Sequence, residues 1–338
     1  MSEVIGWDIG GAHLKAARCR DGELIAVQQL PAPLWQDLRY LDQAVSEILR
    51  GAARTAQHLI TMTGELADCF PDRQTGVRQL VERMTERLGA EIQIYAGAEG
   101  LLPPDRAIER WSSVASANWH ASTAFVAARQ PSGILIDIGS TTTDLIPFAD
   151  GQVATGSRTD NDRLQHDELI YSGVVRTPVH AVADRVAFRG RWQRLAAELF
   201  ATQADVYRLL DWLPDQADQM PTADGRGKAQ AESRARLARM LGCDADEASD
   251  QDWRRVAADI ARRQQRSIED ALAVIESRDG LPERYPLVGA GVGRFLARRL
   301  AAQSDRRYID FGELAGIPAA LADAAADCAP AVALALSG

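Results

Sequence analysis

The sequence predicts an α/β protein made of two copies of one hairpin-led domain. Three observations predict it. Val4-Ile5-Gly6-Trp7-Asp8-Ile9-Gly10-Gly11-Ala12-His13-Leu14-Lys15-Ala16-Ala17 reads as an apolar strand ending in an acid, a small-residue turn and a second strand. Ile134-Leu135-Ile136-Asp137-Ile138-Gly139-Ser140-Thr141-Thr142-Thr143-Asp144-Leu145-Ile146-Pro147-Phe148 repeats that grammar in the second half of the chain. Around both, short β-branched runs alternate with helical apolar spacing, the pattern of layered α/β domains.

Taken in order, Glu3–Ile9 and Leu14–Arg20 form the first hairpin, Asp21-Gly22 turns the chain, and Glu23–Leu30 is a third strand. Pro31 and Pro33 then break the sheet. Asp37–Ala56 carries helical spacing through Leu38, Leu41, Val45, Ile48 and Leu49. A strand at His58–Thr63, a helix at Asp72–Leu88 stopped by Gly89 and a strand at Glu91–Ala96 follow. Trp111–Arg129 reads as a helix rich in small residues, with Trp119 a core residue. After the second hairpin, Asp150-Gly151 makes the next turn, so the three-strand order recurs.

From Thr155 to about Tyr285 the pattern changes. A polar loop holds Thr159, Asp160, Asp162 and Arg163; Val174–Val179 follows, then helices around Gln193–Leu213, Lys228–Leu241 and Asp252–Arg278 with charged, solvated faces. The core resumes at Tyr285 with a strand, a glycine segment, a helix to Ala302 and a strand at Tyr308–Phe311; the Ala-rich Pro318–Leu336 closes the chain between the domains. The division expected is 1–130 and 131–338, with a helical insertion at about 157–284.

A carboxylate at the end of a buried strand must be paired or bound to a cation. Asp8 and Asp137 occupy equivalent points of the repeats, so facing domains put both into one cleft, where they can hold Mg²⁺ over a diphosphate. The turns, Gly10 and Gly11 in one and Gly139, Ser140, Thr141, Thr142 and Thr143 in the other, offer N–H and hydroxyl groups to phosphate oxygens. Ser/Thr-rich hairpins with capped turns are the purely structural alternative. Lys15 either contacts phosphate or projects into solvent, His13 either contacts a leaving group or points to water, and Asp144 either orients the hydroxyls or faces the metal. A third piece, Pro286–Leu296, sets Gly289, Gly291 and Gly293 between a strand and a helix, a geometry that accepts a phosphate or nucleotide.

Composition narrows the classes. A chain of 338 residues holds two domains, and a net charge of -9 argues against general nucleic-acid binding. No run approaches the roughly 18–20 apolar residues of a membrane span. With no basic leader before the first strand, the cytoplasm is the expected location. Cys19, Cys69, Cys243 and Cys328 are dispersed, which predicts neither a disulfide framework nor structural zinc. The oligomeric state stays open, a homodimer among the choices.

The ordered set of two hairpins and late glycines resembles the actin, sugar-kinase and Hsp70 superfamily, with its paired ribonuclease-H-like domains. The resemblance implies phosphate loops at the hairpins, an adenosine loop at the glycines and specificity in the insertion. Met62-Thr63-Gly64-Glu65-Leu66-Ala67-Asp68 and Asp167-Glu168-Leu169-Ile170-Tyr171-Ser172-Gly173-Val174-Val175-Arg176-Thr177-Pro178-Val179 are similar to the hydantoinase/oxoprolinase branch. Ser116-Ala117-Asn118-Trp119 and Ala223-Asp224-Gly225, with the short length, resemble a subgroup tied to one-carbon transfer in methanogens and methylotrophs. That likeness implies a transferase of methanofuran or methylofuran biosynthesis. The phenol oxygen of a γ-glutamyl-tyramine or tyrosine-like acceptor attacks an aminomethylfuran diphosphate, and diphosphate leaves. Asp8, Asp137 and Asp144 are then the metal residues, Glu168 or Asp224 the general base, and His13, Glu65, Asp160, Tyr171 and Arg176 the substrate contacts. Whether ATP binds stays open. The competing readings are an ATP-dependent kinase or hydantoinase-type enzyme on the same loops, and a non-enzymatic actin-like nucleotide switch.

Overall fold

A computed structural model describes residues 3–53, 55–278 and 280–338. In the first sheet, β1 (Glu3–Ile9), β2 (His13–Arg20) and β3 (Glu23–Pro31) run antiparallel. β4 (Gln57–Met62) and β5 (Gln93–Tyr95) extend it in parallel, and β6 (Leu101–Leu102) ends it. Helices α1 (Arg39–Leu49) and α2 (Arg73–Leu88) bury their apolar stripes against this sheet, α2 starting on an Asp72 cap and stopping at Gly89.

The second sheet repeats the plan. β7 (Gly133–Ile138), β8 (Thr143–Ala149) and β9 (Gln152–Val153) are antiparallel; β10 (Leu169–Ile170) also pairs with β8. β13 (Leu287–Ala290) and β14 (Tyr308–Asp310) lie parallel to β7. The order β3-β2-β1-β4-β5 in the first sheet is matched by β10-β8-β7-β13-β14 in the second, with β9 also paired to β8, the duplication expected from the two hairpins.

The region between β9 and β13 is less helical than its sequence suggests. α4 (Asp160–Gln165) begins on a Thr159/Asp162 capping box. Of the helix expected around Gln193–Leu213 only α5 (Gln203–Leu209) is helical; ahead of it, overlapping the expected span by two residues, stands a hairpin of β11 (Arg185–Phe188) and β12 (Arg191–Arg194). Arg189 and Gly190 both take positive φ at its turn, at 47° and 78°. α6 (Gln230–Met240) and the long α7 (Asp250–Glu276) complete the insertion around Trp253 and Tyr207, both fully buried.

Further helices tie the halves together. The expected helix at Trp111–Arg129 is broken at Ser116, whose φ is 52°, leaving a short turn at Trp111–Val114 and α3 (Asn118–Ala127). Helix α8 (Arg294–Gln303) follows β13. The closing segment is two helices, α9 (Ala319–Asp327) and α10 (Ala329–Ala335), with Cys328 between them. α10 returns to the first sheet and lies on β1. Gly6 explains how close: a Cβ there would stand 2.0 Å from the Ala331 carbonyl oxygen, so only glycine admits the helix backbone. The Ala-rich face of α10 shares a core with β13 and the tail of α3. No helix among the described residues is long and apolar enough to cross a membrane. All four cysteines are free.

Candidate active site

The two Asp-Ile-Gly turns face one another across a cavity of about 230 Å³. Asp8, Gly10, Gly11, Ala12, His13 and Lys15 reach it from the first hairpin; Asp137, Gly139, Ser140, Thr141, Thr142 and Asp144 reach it from the second. Register explains the match. Asp8 pairs with Lys15 across β1 and β2, and Asp137 pairs with Asp144 across β7 and β8. Paired residues point to the same face of a sheet, so each hairpin presents two charged side chains to the cavity.

Backbone hydrogen bonds close both turns. Gly10 N–H donates to the His13 carbonyl, and Gly139 N–H to the Thr142 carbonyl, closing each loop. Behind the second loop, the N–H groups of Val174, Val175 and Arg176 donate to the carbonyls of Gly139 and Ser140. With those carbonyls held at the back, the loop N–H groups are left for the cavity. Gln264 of α7 fixes this support: its amide nitrogen donates to Ser172 Oγ (2.8 Å) and to the Gly173 carbonyl (2.9 Å), and its oxygen accepts from the Tyr207 hydroxyl (2.6 Å).

Burial dominates the electrostatics. It pushes the Asp137 carboxyl up to about 7 against the pull of Lys15, and Asp144 and Asp8 add to the rise. Asp8 is also raised by burial, with Lys15 and the Asn118 amide opposing. Asp144 is raised by burial although Arg163 pairs with it directly. Burial works against the Lys15 ammonium, yet Cys328, Asp8, Asp137 and Asp327 outweigh it and hold Lys15 above its ordinary value. Lys15 Nζ also donates to the Asp327 carbonyl at 2.9 Å. His13 is driven down to about 4 by burial, then by Lys15 and Arg176, so its imidazole is neutral at pH 7. Asp8 Oδ1 and His13 Nε2 are buried without a hydrogen-bond partner among the described residues.

Two arginines from the second half complete the walls. Arg163 pairs with Asp160 (2.7 Å) and Asp144 and lies 4.9 Å over the Trp119 ring. Arg176 lies 4.9 Å over Trp35. Both stacks join the second half to the first, by cation–π attraction.

A model of the hydantoinase/oxoprolinase family matches residues 57–332. The chain belongs to that family. One relative of this hydantoinase/oxoprolinase chain is the (4-{4-[2-(γ-L-glutamylamino)ethyl]phenoxymethyl}furan-2-yl)methanamine synthase of Methanocaldococcus jannaschii. It is 30% identical over 285 residues, covering 84% of this chain and 83% of that one. A synthase of the same name from Methanococcus vannielii is 34% identical over 116 residues, 34% of this chain and 52% of its own. Among solved structures, nucleotide-free acetone carboxylase superposes with a TM-score of 0.56 at 11% identity, over 96% of this chain and 70% of that one. A ROK family glucokinase from Streptomyces griseus, with glucose and AMPPNP, gives 0.50 at 13% identity, over 99% and 98%. The two structures share the fold.

Within this family member, the expected site residues divide. Asp160, Tyr171 and Arg176 line the cavity with the two hairpins. Glu65 lies behind its wall, fully buried against Ser116. Others sit elsewhere. Thr143 is buried in β8, and its hydroxyl donates to the Ser172 carbonyl at 2.7 Å. Glu168 is no base in this cavity: its oxygens accept from Thr155 Oγ1 (2.8 Å each) and pair with Arg278, in a buried ion pair outside the site. Asp224 is likewise held by Arg236 (3.0 Å) on the insertion, away from the cavity lining. Gly289, Gly291 and Gly293 do not line it either. Gly291 has a φ of 79°, and a Cβ there would meet Ile138 O at 2.3 Å and Asp137 Oδ1 at 2.4 Å. The Gly291 and Gly293 N–H groups donate to the Ala326 and Ile138 carbonyls, and Arg294, first in α8, folds back onto Asp310 and Asp327. This segment packs behind Asp137 and positions it. Sequence reasoning missed Ser116, Asn118 and Arg163 as cavity residues. Ser116 and Asn118 drew attention only through the family likeness, and the positive φ that turns Ser116 inward has no local signature.

Proposed function

We propose that the chain is a transferase of cofactor biosynthesis that joins an aminomethylfuran diphosphate to the phenol oxygen of a tyramine- or tyrosine-like acceptor and releases diphosphate. The observation that carries this reading is the pair of opposed anion cradles, each with a carboxylate at its root, in a chain whose relatives bear the synthase name. A furan spreads positive charge from its exocyclic carbon, so the main task is to neutralise the departing diphosphate. Lys15 supplies a buried positive charge between the carboxylates. The loop N–H groups and the unpartnered His13 Nε2 supply hydrogen bonds to phosphate oxygens. Arg176 closes one lip.

The donor set also fits Mg²⁺. Among the described residues no group of three or more His, Cys, Asp or Glu side chains is placed to hold a metal. Mg²⁺ takes one or two carboxylates and completes its shell with water and substrate phosphates. Asp8, with its lone Oδ1, and Asp137 are that pair. Bound there, the ion would neutralise charge on the diphosphate.

The test is incubation of the pure protein with Mg²⁺, aminomethylfuran diphosphate and tyramine-type acceptors. The expected result is the ether by mass spectrometry, with inorganic diphosphate released and no need for ATP. Strict ATP dependence with ADP formed in step overturns the reading in favour of a kinase-like use of the same loops.

A further inference from the structure

One cluster on the cavity wall is left unused by the diphosphate chemistry. Ser116, from the break before α3, has its Oγ 2.8 Å from Glu65 Oε1 and 3.0 Å from Asp160 Oδ2. Arg73 Nη2 donates to the same Oγ at 3.0 Å and reaches Glu65 Oε1 at 3.2 Å and Asp160 Oδ2 at 3.6 Å. Glu65, Arg73 and Ser116 belong to the first half of the chain; Asp160 belongs to the insertion of the second.

Counting protons makes the cluster informative. A serine hydroxyl has one proton to donate. It can satisfy one carboxylate, yet two carboxyl oxygens lie within hydrogen-bond distance of it. The second contact needs a proton on the carboxyl group. Surroundings decide which group carries it. Asp160 faces Arg163 at 2.7 Å and Arg73 at 3.6 Å, with Tyr171 and Asp144 nearby, and lines the cavity. Glu65 is 1% exposed, and among the described residues Arg73 is its one cation and its Oε2 has no hydrogen-bond partner. Burial accordingly pushes Glu65 up. The chain of donors therefore runs from Glu65 O–H to Ser116 Oγ, and from Ser116 O–H to Asp160 Oδ2. Ser116 holds a strained positive φ to stand at its centre.

We infer that Asp160 is the general base that takes the acceptor's phenolic proton, held and oriented by Ser116 and a protonated Glu65. This rests on the transferase reading above. The acceptor's O–H bond breaks as its oxygen bonds the exocyclic furan carbon. The carbon–oxygen bond to diphosphate breaks with its electron pair leaving on diphosphate, and the proton passes to Asp160. Because Glu65 and Asp160 come from opposite halves, the base is complete only when the two halves meet. Asp160 is the catalytic residue here; Ser116 and Glu65 are positioning residues.

The test separates base loss from general damage by the acidity of the acceptor. Asp160→Asn is expected to lower kcat by roughly 10²–10⁴-fold with an ordinary phenol while leaving the KM for the furan diphosphate unchanged. A strongly acidic phenol, already ionised at the assay pH, should recover most of the loss. Ser116→Ala should show a smaller loss with the same recovery. Glu65→Gln, which keeps a donor toward Ser116, should lose less activity than Glu65→Ala, and the wild-type minus Glu65→Gln infrared difference spectrum at pH 7 should show a carboxylic-acid carbonyl band. Equal losses with ordinary and acidic phenols, or the absence of that band, overturn the inference. Wild-type protein that shows the band but forms no ether overturns the transferase reading and the base role with it, while the shared proton stands on the spectrum.

Discussion

The two hairpins share one backbone and differ in one charge. In the first, Asp8 stands opposite Lys15; at the same register in the second, Asp137 stands opposite Asp144. The first cradle thus carries its own cation. The second carries two acids and borrows its cation, Arg163, from α4 of the insertion. The lesson is that duplication preserves what the strand ladder dictates, the delivery of a carboxylate to the cleft, while the facing position is free to diverge as long as the buried charge is balanced. Three raised carboxylates around Lys15 and Arg163 form one system rather than two copies of a site.

The largest effect should come from removing the cation that the halves share. Lys15→Met leaves Asp8 and Asp137 buried without it, and breaking such a pairing costs about 3–5 kcal/mol. Adding Asp8→Asn should restore part of that stability, read as the urea midpoint at constant slope. A single variant as stable as the wild type would show that the two halves are not coupled through Lys15.

Next come the carboxylates themselves. Asp8→Asn and Asp137→Asn are each expected to lower turnover by roughly 10²–10³-fold, about 3–4 kcal/mol of transition-state stabilisation. Each should lower thermal stability far less than Lys15→Met, because burial already disfavours both charges and the other acid still faces Lys15. Near-normal activity of both at limiting Mg²⁺ breaks the proposed symmetry of the two acids.

His13 has no counterpart with its chemistry in the second turn, where Thr142 precedes Thr143. Its folded pKa of about 4 lies below the ordinary 6.5, so the unfolded chain binds a proton that the native protein refuses. Stability should therefore be full above about 6.5 and fall as the pH drops toward 4, on the order of 3 kcal/mol in all. His13→Gln should flatten that slope in pH-dependent unfolding. An unchanged slope assigns it to other groups.

The smallest effect belongs to the support that Gln264 gives the second loop. Gln264→Leu strands the Gly173 carbonyl and the Tyr207 hydroxyl, for about 1–3 kcal/mol. It should raise the KM for the diphosphate substrate more than it lowers kcat. A loss confined to kcat would show that α7 does not position the loop.

What could be read in advance was local. The strand period, the acids at the strand ends and the Gly/Ser/Thr turns lie within a few residues of each other, so their pairing follows from sequence. The hairpin at 185–194 has no place in that reading, because its turn, Arg189-Gly190, sits amid charged residues that also suit helices. Trp111–Arg129 has helical composition throughout, and nothing in it announces the break at Ser116.

By itself, then, the sequence determined the duplicated α/β plan, the two cradles and the acids at their roots, because these rest on alternation and turn chemistry over short distances. Tertiary structure alone decided which charged residues serve the cavity. Glu168 and Asp224 lie in segments as suggestive as that of Asp160, yet Arg278, distant in the chain, and Arg236, on the next helix, hold them elsewhere. Asp160 meets Ser116, Arg73 and Arg163 at the seam of the two halves instead. The reason is that a buried charge goes where its partners are, and those partners come from elements that only folding brings together.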